Sequence, residues 1–207
     1  MALTREELTA RAAHFWRRTA HYRGFGYDRV AASEAIVAVA GPLDAPVLDV
    51  GTGMGLAARA LAARGLEVVS VDTNAEDQQV AAALTDDPAL LGRIQFTLAD
   101  AARLPFAAGR FGSVVTVDVL HHLDDGSAVL AEIVRILRPG GTLVLSDFSR
   151  EGFDLVARVH ALEGRVHPEG PVTMAWAREH ARGLGLIERA AFVTCLHDVS
   201  VFRAAAA

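Results

Sequence analysis

A chain of 207 residues, 52% of them hydrophobic, is long enough to bury one core, and a net charge of −5 gives no electrostatic footprint for nucleic acid. All 20 basic residues are arginine, which excludes a lysine Schiff base, a lysine general base and the lysine-tipped phosphate loop. The single cysteine, Cys195, excludes an internal disulfide framework and a Cys-rich zinc site; within AFVTCLHDV it reads as a small buried hydrophobe.

The opening MALTREELTARAAHFWRR is charged throughout, and nowhere does an apolar run reach the roughly 18 to 20 residues of a membrane span. The expectation is a cytoplasmic protein with no membrane partner. Thr4 and Glu7 have the spacing of a capping box, and Leu8, Ala12, Phe15 and Thr19 share one face of the helix that follows. Gly24 and Gly26 break it, and a second helix in VAASEAIVAVA stops at Gly41-Pro42. Residues 1–45 therefore read as an N-terminal helical cap on a main domain of residues 46–203. Phe15 and Trp16 are expected to pack the cap down. Tyr22, Arg23 and Tyr27, beside the hinge-like glycines, are expected to reach a ligand when the cap closes.

From Pro46 onward, short apolar strands alternate with helices. PVLDV, EVVSVD, RIQFTLA, FGSVVTVDV and TLVLSDF read as strands. GLAARALAARG, AEDQQVAAAL and DGSAVLAEIVRIL read as helices, the last ended by RPGG. Such alternation implies a parallel sheet, because parallel strands need crossovers. After residue 150 come a helix, a loop marked by Gly164, Pro168, Gly170 and Pro171, and a helix in VTMAWAREHARGLG. LIERAAFVT and LHDVSVFRA then suit an antiparallel pair, and the AAAA tail is expected to fray. The fold predicted is a doubly wound α/β domain with seven mostly parallel strands and an N-terminal helical cap.

VLDVGTGMG opens a strand into Gly51, Gly53 and Gly55, a G-x-G-x-G spacing with Leu56 where a dinucleotide fingerprint has its third glycine. A turn of this kind aims backbone N–H groups at a ligand. Asp72 ends the second strand, 21 residues after Gly51, Asp100 ends the third, and VDVLHH ends the fourth. All fall at strand C-termini, where open α/β sheets build their crevice.

Together VLDVGTGMG, VVSVDTN, LADAARLPFAAGRFG, VTVDVLHHLDD and LRPGGTLVLSDF resemble, in order, the motifs of class I S-adenosylmethionine-dependent methyltransferases, within the small-molecule type that includes quinone-biosynthesis enzymes. The resemblance spans residues 46–148 and implies a Rossmann-like fold with S-adenosyl-L-methionine as cofactor. It implies that Gly51, Thr52, Gly53 and Gly55 let the backbone approach the methionine part, and that Asp49 holds its ammonium directly or through water. Asp72 would take the ribose hydroxyls with Thr73 beside the adenine. Asp100 would accept from the adenine amino group, Ala101 would donate its N–H, and Asp118 would lie near the methionine end. Tyr22 is added as a cap residue reaching the cofactor.

Methyl transfer needs alignment, exclusion of water and, where the nucleophile must lose a proton, a general base. His121 and His122, directly after the fourth strand, are candidates for the base, with a structural role equally open. HALEGRVH supplies two more: His160 and Glu163 stand three apart, and His167 follows beyond Gly164. These three are open to substrate contact, a two-His-one-carboxylate metal site or plain structure; no metal is expected for the reaction itself. Arg165 could pair with an anionic substrate, and His197 is expected to be an ordinary strand residue.

The expected function is methyl transfer to a small molecule by a monomer or homodimer, with no nucleic-acid partner. A catalytically silent S-adenosylmethionine-binding or regulatory protein and a nicotinamide-dependent oxidoreductase are the alternatives.

Overall fold

The computed structural model describes residues 2–206. Helices α1 (Arg5–Gly24) and α2 (Arg29–Val39) precede β1 (Val47–Val50), which α3 (Leu56–Ala63) joins to β2 (Val68–Asp72). Helix α4 (Ala75–Ala83) and the one-turn α5 (Pro88–Leu91) lead to β3 (Ile94–Leu98). Strand β4 (Phe111–Val117) runs into a 3-10 turn at Leu120–His122, then α6 (Ser127–Ile136) and β5 (Leu137–Phe148). Helices α7 (Arg150–Leu162) and α8 (Met174–Gly183) precede β6 (Ile187–Thr194) and β7 (His197–Arg203). The strand order is β3-β2-β1-β4-β5-β7-β6, with β7 antiparallel to both neighbours. The order reverses between β1 and β4, so a crevice opens beyond their C-terminal ends.

The central strands are buried on both faces, and their side chains alternate between two cores. Leu48, Val50, Val114, Leu143 and Leu145 pack against Ile133 and Ile136 of α6 and Ala177 of α8. Val47, Val115, Val144 and Val199 pack against Ile36 of α2 and Leu61 of α3. Thr4 and Glu7 form the predicted capping box: the Glu7 N–H donates to Thr4 Oγ1 at 3.2 Å, and the Thr4 N–H to the Glu7 carboxylate at 2.8 Å. A cap of this kind contributes about 1 kcal/mol. Phe15 packs onto Val80 and Leu84 beside α4, and α1 also lies against α7.

Four expectations are corrected. The RPGG segment does not stop short of the fifth strand. Leu137 already pairs with Phe111, and a register irregularity before Ser113, with Gly140 at φ 70°, absorbs the extra residues. The alanine tail is tied down, since the Ala204 N–H donates to Gly141 and the Gly140 N–H to Ala205, both at 2.9 Å; Ala207 lies outside the described residues. Trp16 is 45% exposed, resting edge-on against Phe15 rather than packing inward. Cys195 is exposed, because it and Leu196 form the two-residue β6–β7 turn, with φ of 47° and 65°. Positive φ at both positions matches the twist of a hairpin, and neither residue type signals it in sequence.

Candidate functional site

A cavity of about 630 Å³ opens at the C-terminal ends of β1, β2 and β4. Gly51, Thr52, Gly53, Asp72, Thr73, Asp100, Ala101, Asp118, Tyr22, His121, His122, His160 and His167 all face it. The sequence thus named thirteen residues that the fold gathers around one space of ligand size.

The glycine turn is pinned to β2, with the Gly51 and Thr52 N–H groups donating to the Val71 carbonyl at 2.9 and 3.0 Å. Gly51 sits at φ 84°, and a Cβ there would come within 2.3 Å of Val119 Cγ2, so only glycine fits. The Gly53 N–H donates to Asp72 Oδ2 at 2.9 Å, and the Asn74 N–H to Asp72 Oδ1 at 2.9 Å. Two backbone donors therefore aim the Asp72 carboxylate while leaving lone pairs for ligand hydroxyls. The Ala102 N–H holds Asp100 Oδ1 in the same way at 2.9 Å. Behind the turn, Thr52 Oγ1 and Ser70 Oγ lie 2.7 Å apart, and Gln78 bonds Thr52 and the Thr97 carbonyl, locking three strands and α4 together.

Gly55 does not face the cavity. At φ 74° it lies against α4, where a Cβ would stand 2.9 Å from the Ala81 Cβ, so it serves helix packing rather than ligand approach. Asp49 is also behind the wall, fully buried, with Ser70 Oγ donating to its Oδ2 at 2.7 Å. Burial raises its pKa to about 7, against the Ser70 hydrogen bond, and Asp72 adds to the rise. Its Oδ1 has no partner, and a buried unpaired carboxylate oxygen suits a nearby cation. Of the direct and water-mediated routes to an ammonium, the second suits this position. The orphaned oxygen, the turn that a Cβ would fill and the acids at the strand ends together fit S-adenosylmethionine.

Asp118 adopts φ 58°, rare for a residue other than glycine. Its Oδ1 accepts from His197 Nε2 at 2.8 Å, and His197 Nδ1 donates to the Cys195 carbonyl at 2.8 Å. Burial pulls the His197 pKa down, but the Asp118 charge and both hydrogen bonds outweigh it, leaving the pKa above its ordinary value. His197 is therefore no ordinary strand residue: it is the buried counterion of a cavity aspartate.

At the other end, His121 Nδ1 lies 2.6 Å from Asp147 Oδ1. The carboxylate also accepts the N–H groups of His121 at 3.0 Å and Phe148 at 2.8 Å. An acceptor-only partner places the imidazole proton on Nδ1, so Nε2 carries a lone pair, and no protein group bonds it. The His122 ring lies 4.0 Å from that of His121, His167 lies 5.0 Å away, and His160 lies 4.6 Å from His167. The Arg18 guanidinium contacts His160 Nε2, which must then be an acceptor. Burial first, with Arg18 and Arg165 adding, lowers the His160 pKa to about 4. Burial and the neighbouring histidines lower His167 to about 4, and burial lowers His122. These three rings are neutral at pH 7.

Glu163 lies 3.3 Å from both Arg18 and Arg165. It joins His160 through Arg18 rather than through a metal, and no group of three or more His, Cys, Asp or Glu among the described residues is placed to hold one. Two cap residues miss the cavity: Arg23 pairs with Asp28 at 2.8 Å, and Tyr27 packs on His197 and Phe148. Sequence reading also passed over Asp147 and Arg18. Asp147 carried a usable signal, an acid in the apolar run TLVLSDF near a strand C-terminus; Arg18 carried none.

Residues 48–145 match the family described as a methyltransferase domain. The chain is 36% identical over 107 residues to methyltransferase GfsG of Streptomyces halstedii, covering 51% of this chain and 38% of that protein. It is 35% identical over 135 residues to the demethylmenaquinone methyltransferase of Clavibacter sepedonicus, covering 65% and 52%. The chain thus spans about half or less of the length of these curated relatives. A SAM-dependent methyltransferase from Methanosarcina mazei superimposes with a TM-score of 0.67 at 20% identity, over 83% of this chain and 98% of that one. That likeness is one of fold, and no helix among the described residues is long and apolar enough to cross a membrane. With the motifs in order around one cavity, residues 48–145 form a class I S-adenosylmethionine-dependent methyltransferase domain, whose cofactor is S-adenosylmethionine.

Proposed function

We propose that the protein methylates a hydroxyl group of a small molecule, with His121 as general base. The observation that carries this reading is the His121–Asp147 pair on the wall of the cavity that also holds the glycine turn, a pair that leaves His121 Nε2 without a protein hydrogen bond. The named activity of the demethylmenaquinone methyltransferase supports a small acceptor, and that of O-methyltransferase resE from Aspergillus sclerotiorum, 31% identical over 121 residues, supports methylation at oxygen.

When bound, S-adenosylmethionine supplies a methyl group on a positively charged sulfur that leaves as a neutral thioether. Asp72 and Asp100 would accept from its nucleoside part, and the turn at Gly51 and Gly53, lacking Cβ atoms, would let its methionine part lie close to the backbone. Asp147 keeps the His121 proton on Nδ1 and favours the imidazolium that forms when Nε2 takes the acceptor proton. The neutral rings of His122, His160 and His167 close the space around the acceptor, so the proton passes to His121 rather than to solvent. Asp118, fixed by His197, stands on the same wall.

Two measurements test this. Calorimetry should show binding of S-adenosylmethionine and none of NAD; the reverse would overturn the reading in favour of an oxidoreductase. S-adenosylhomocysteine release from a panel of phenols and enols should occur and be lost in Asp147→Asn. Binding without release by any acceptor would mark a silent binding protein.

A further inference from the structure

Three arginines face the cavity: Arg18, Arg29 and Arg165. The cofactor brings a single carboxylate against these three guanidinium groups. Arg29 has no acidic partner within 4 Å among the described residues, its guanidinium lying 5.0 and 5.2 Å from the Tyr22 and Phe15 ring centroids. Arg18 and Arg165 share a single carboxylate, Glu163. Two guanidinium groups against one carboxylate leave a net positive charge beside His160 and His167. Arg18 Nε is buried 3.3 Å from Glu163 Oε1 without an aligned hydrogen bond, and His160 Nδ1 and His167 Nε2 are buried without one as well.

Among the described residues, no acid other than Glu163 lies within 4 Å of Arg18 or Arg165. Asp72, Asp77 and Asp100 line it at the ends of β2 and β3 and in α4, and Asp118 is occupied by His197. From α7 and the loop that follows, the residues facing the space are Val156, His160, Arg165, Val166, His167 and Pro168, none of them acidic. A half-buried guanidinium next to neutral rings favours a planar oxyanion with lone pairs to fill its fork. The chain of contacts from Arg18 through His160 and His167 to His121 joins this positive pole to the base.

We propose that the acceptor is a small hydroxy acid whose carboxylate is received by Arg18 and Arg165 while its hydroxyl faces His121. This rests on the methyl-transfer reading above. The hydroxyl gives its proton to His121 Nε2 and its oxygen gains the methyl carbon. The electron pair of the broken carbon–sulfur bond stays on sulfur. A cavity of about 630 Å³ shared with the cofactor restricts the acid to one-ring size or near it.

The test uses matched pairs: the 2-, 3- and 4-hydroxybenzoates and their uncharged amides. Turnover is read as S-adenosylhomocysteine release, and affinity by calorimetry on protein loaded with S-adenosylhomocysteine. At least one acid should exceed its amide about tenfold or more in affinity or kcat/KM, the worth of one charge-assisted hydrogen bond. Arg165→Gln should erase most of that preference while leaving S-adenosylmethionine affinity within about twofold. Arg165 is the decisive position because it is more exposed than Arg18, whose replacement risks the fold. Equal or better use of the amides in every pair, no binding of any acid, or an acid preference that survives Arg165→Gln would overturn the proposal. Preferred binding of acids without turnover keeps the carboxylate subsite and defeats the methyl-transfer reading. Turnover of amides and acids alike does the opposite.

Discussion

At one end of the cavity Gly51, Gly53, Asp72 and Asp100 are placed by backbone geometry: the Gly51 N–H donates to the Val71 carbonyl, and the Asp72 and Asp100 carboxylates accept from main-chain N–H groups, that of Gly53 included. At the other end Arg18, His121, His160 and His167 come from α1, the 3-10 turn, α7 and the loop beyond it, and meet only through their side chains. Backbone-built recognition tolerates little change, because a single Cβ at Gly51 would strike Val119. Side-chain recognition can be rewritten one residue at a time without touching the sheet. One end therefore suits an invariant ligand, the other a specific acceptor.

The comparison predicts that the two ends can be broken separately. His121→Ala should lower kcat by about 10²–10⁴-fold, the usual worth of a general base, with S-adenosylmethionine affinity nearly unchanged in calorimetry. An equal loss of cofactor affinity would show the ends to be one unit. Gly51→Ala should do the reverse, weakening cofactor binding by about tenfold or more, since strain of about 1–3 kcal/mol arises at the ligand-facing turn. Val119→Ala in the same chain should restore part of it.

Gly55→Ala sharpens the contrast within the glycine turn. Its Cβ would press on Ala81 in α4 at a positive φ, so melting should show a loss of about 1–3 kcal/mol in stability. Cofactor affinity of the folded protein should change less than for Gly51→Ala.

The smallest effect concerns pH. His160 and His167 have folded pKa values near 4, below the ordinary 6.5, so the unfolded chain binds protons first as pH falls. The melting temperature should drop between about pH 6.5 and 4, and His167→Gln should flatten that slope. His197 has the opposite sign: its raised pKa gives stability that is complete below 6.5 and lost as pH rises through the folded value. His197→Asn should flatten the melting curve on that alkaline side, and no change there would break the pairing with Asp118.

Much of the cofactor end was legible because its chemistry is local. A strand, a turn with positive φ and an acid at the next strand end sit within a few dozen residues, and each type has a backbone reason to be there. Gly55 was misread because packing against α4 and contact with a ligand demand the same residue. Cys195 and His197 were misread because a hairpin turn and a buried ion pair depend on partners far away in sequence, Asp118 being 79 positions from His197.

By itself, the sequence determined the alternation of strands and helices and the crevice at the strand ends, since periodicity and turn chemistry are short-range; the identity of the cofactor followed from the resemblance of its ordered motifs to a known family. Only the tertiary structure decided that Asp147 orients His121, that Arg18 reaches His160 across 142 positions, and that two arginines share one carboxylate. Those contacts depend on how α1 and α7 pack over the sheet, and no local pattern of residues specifies a meeting of side chains from separate helices.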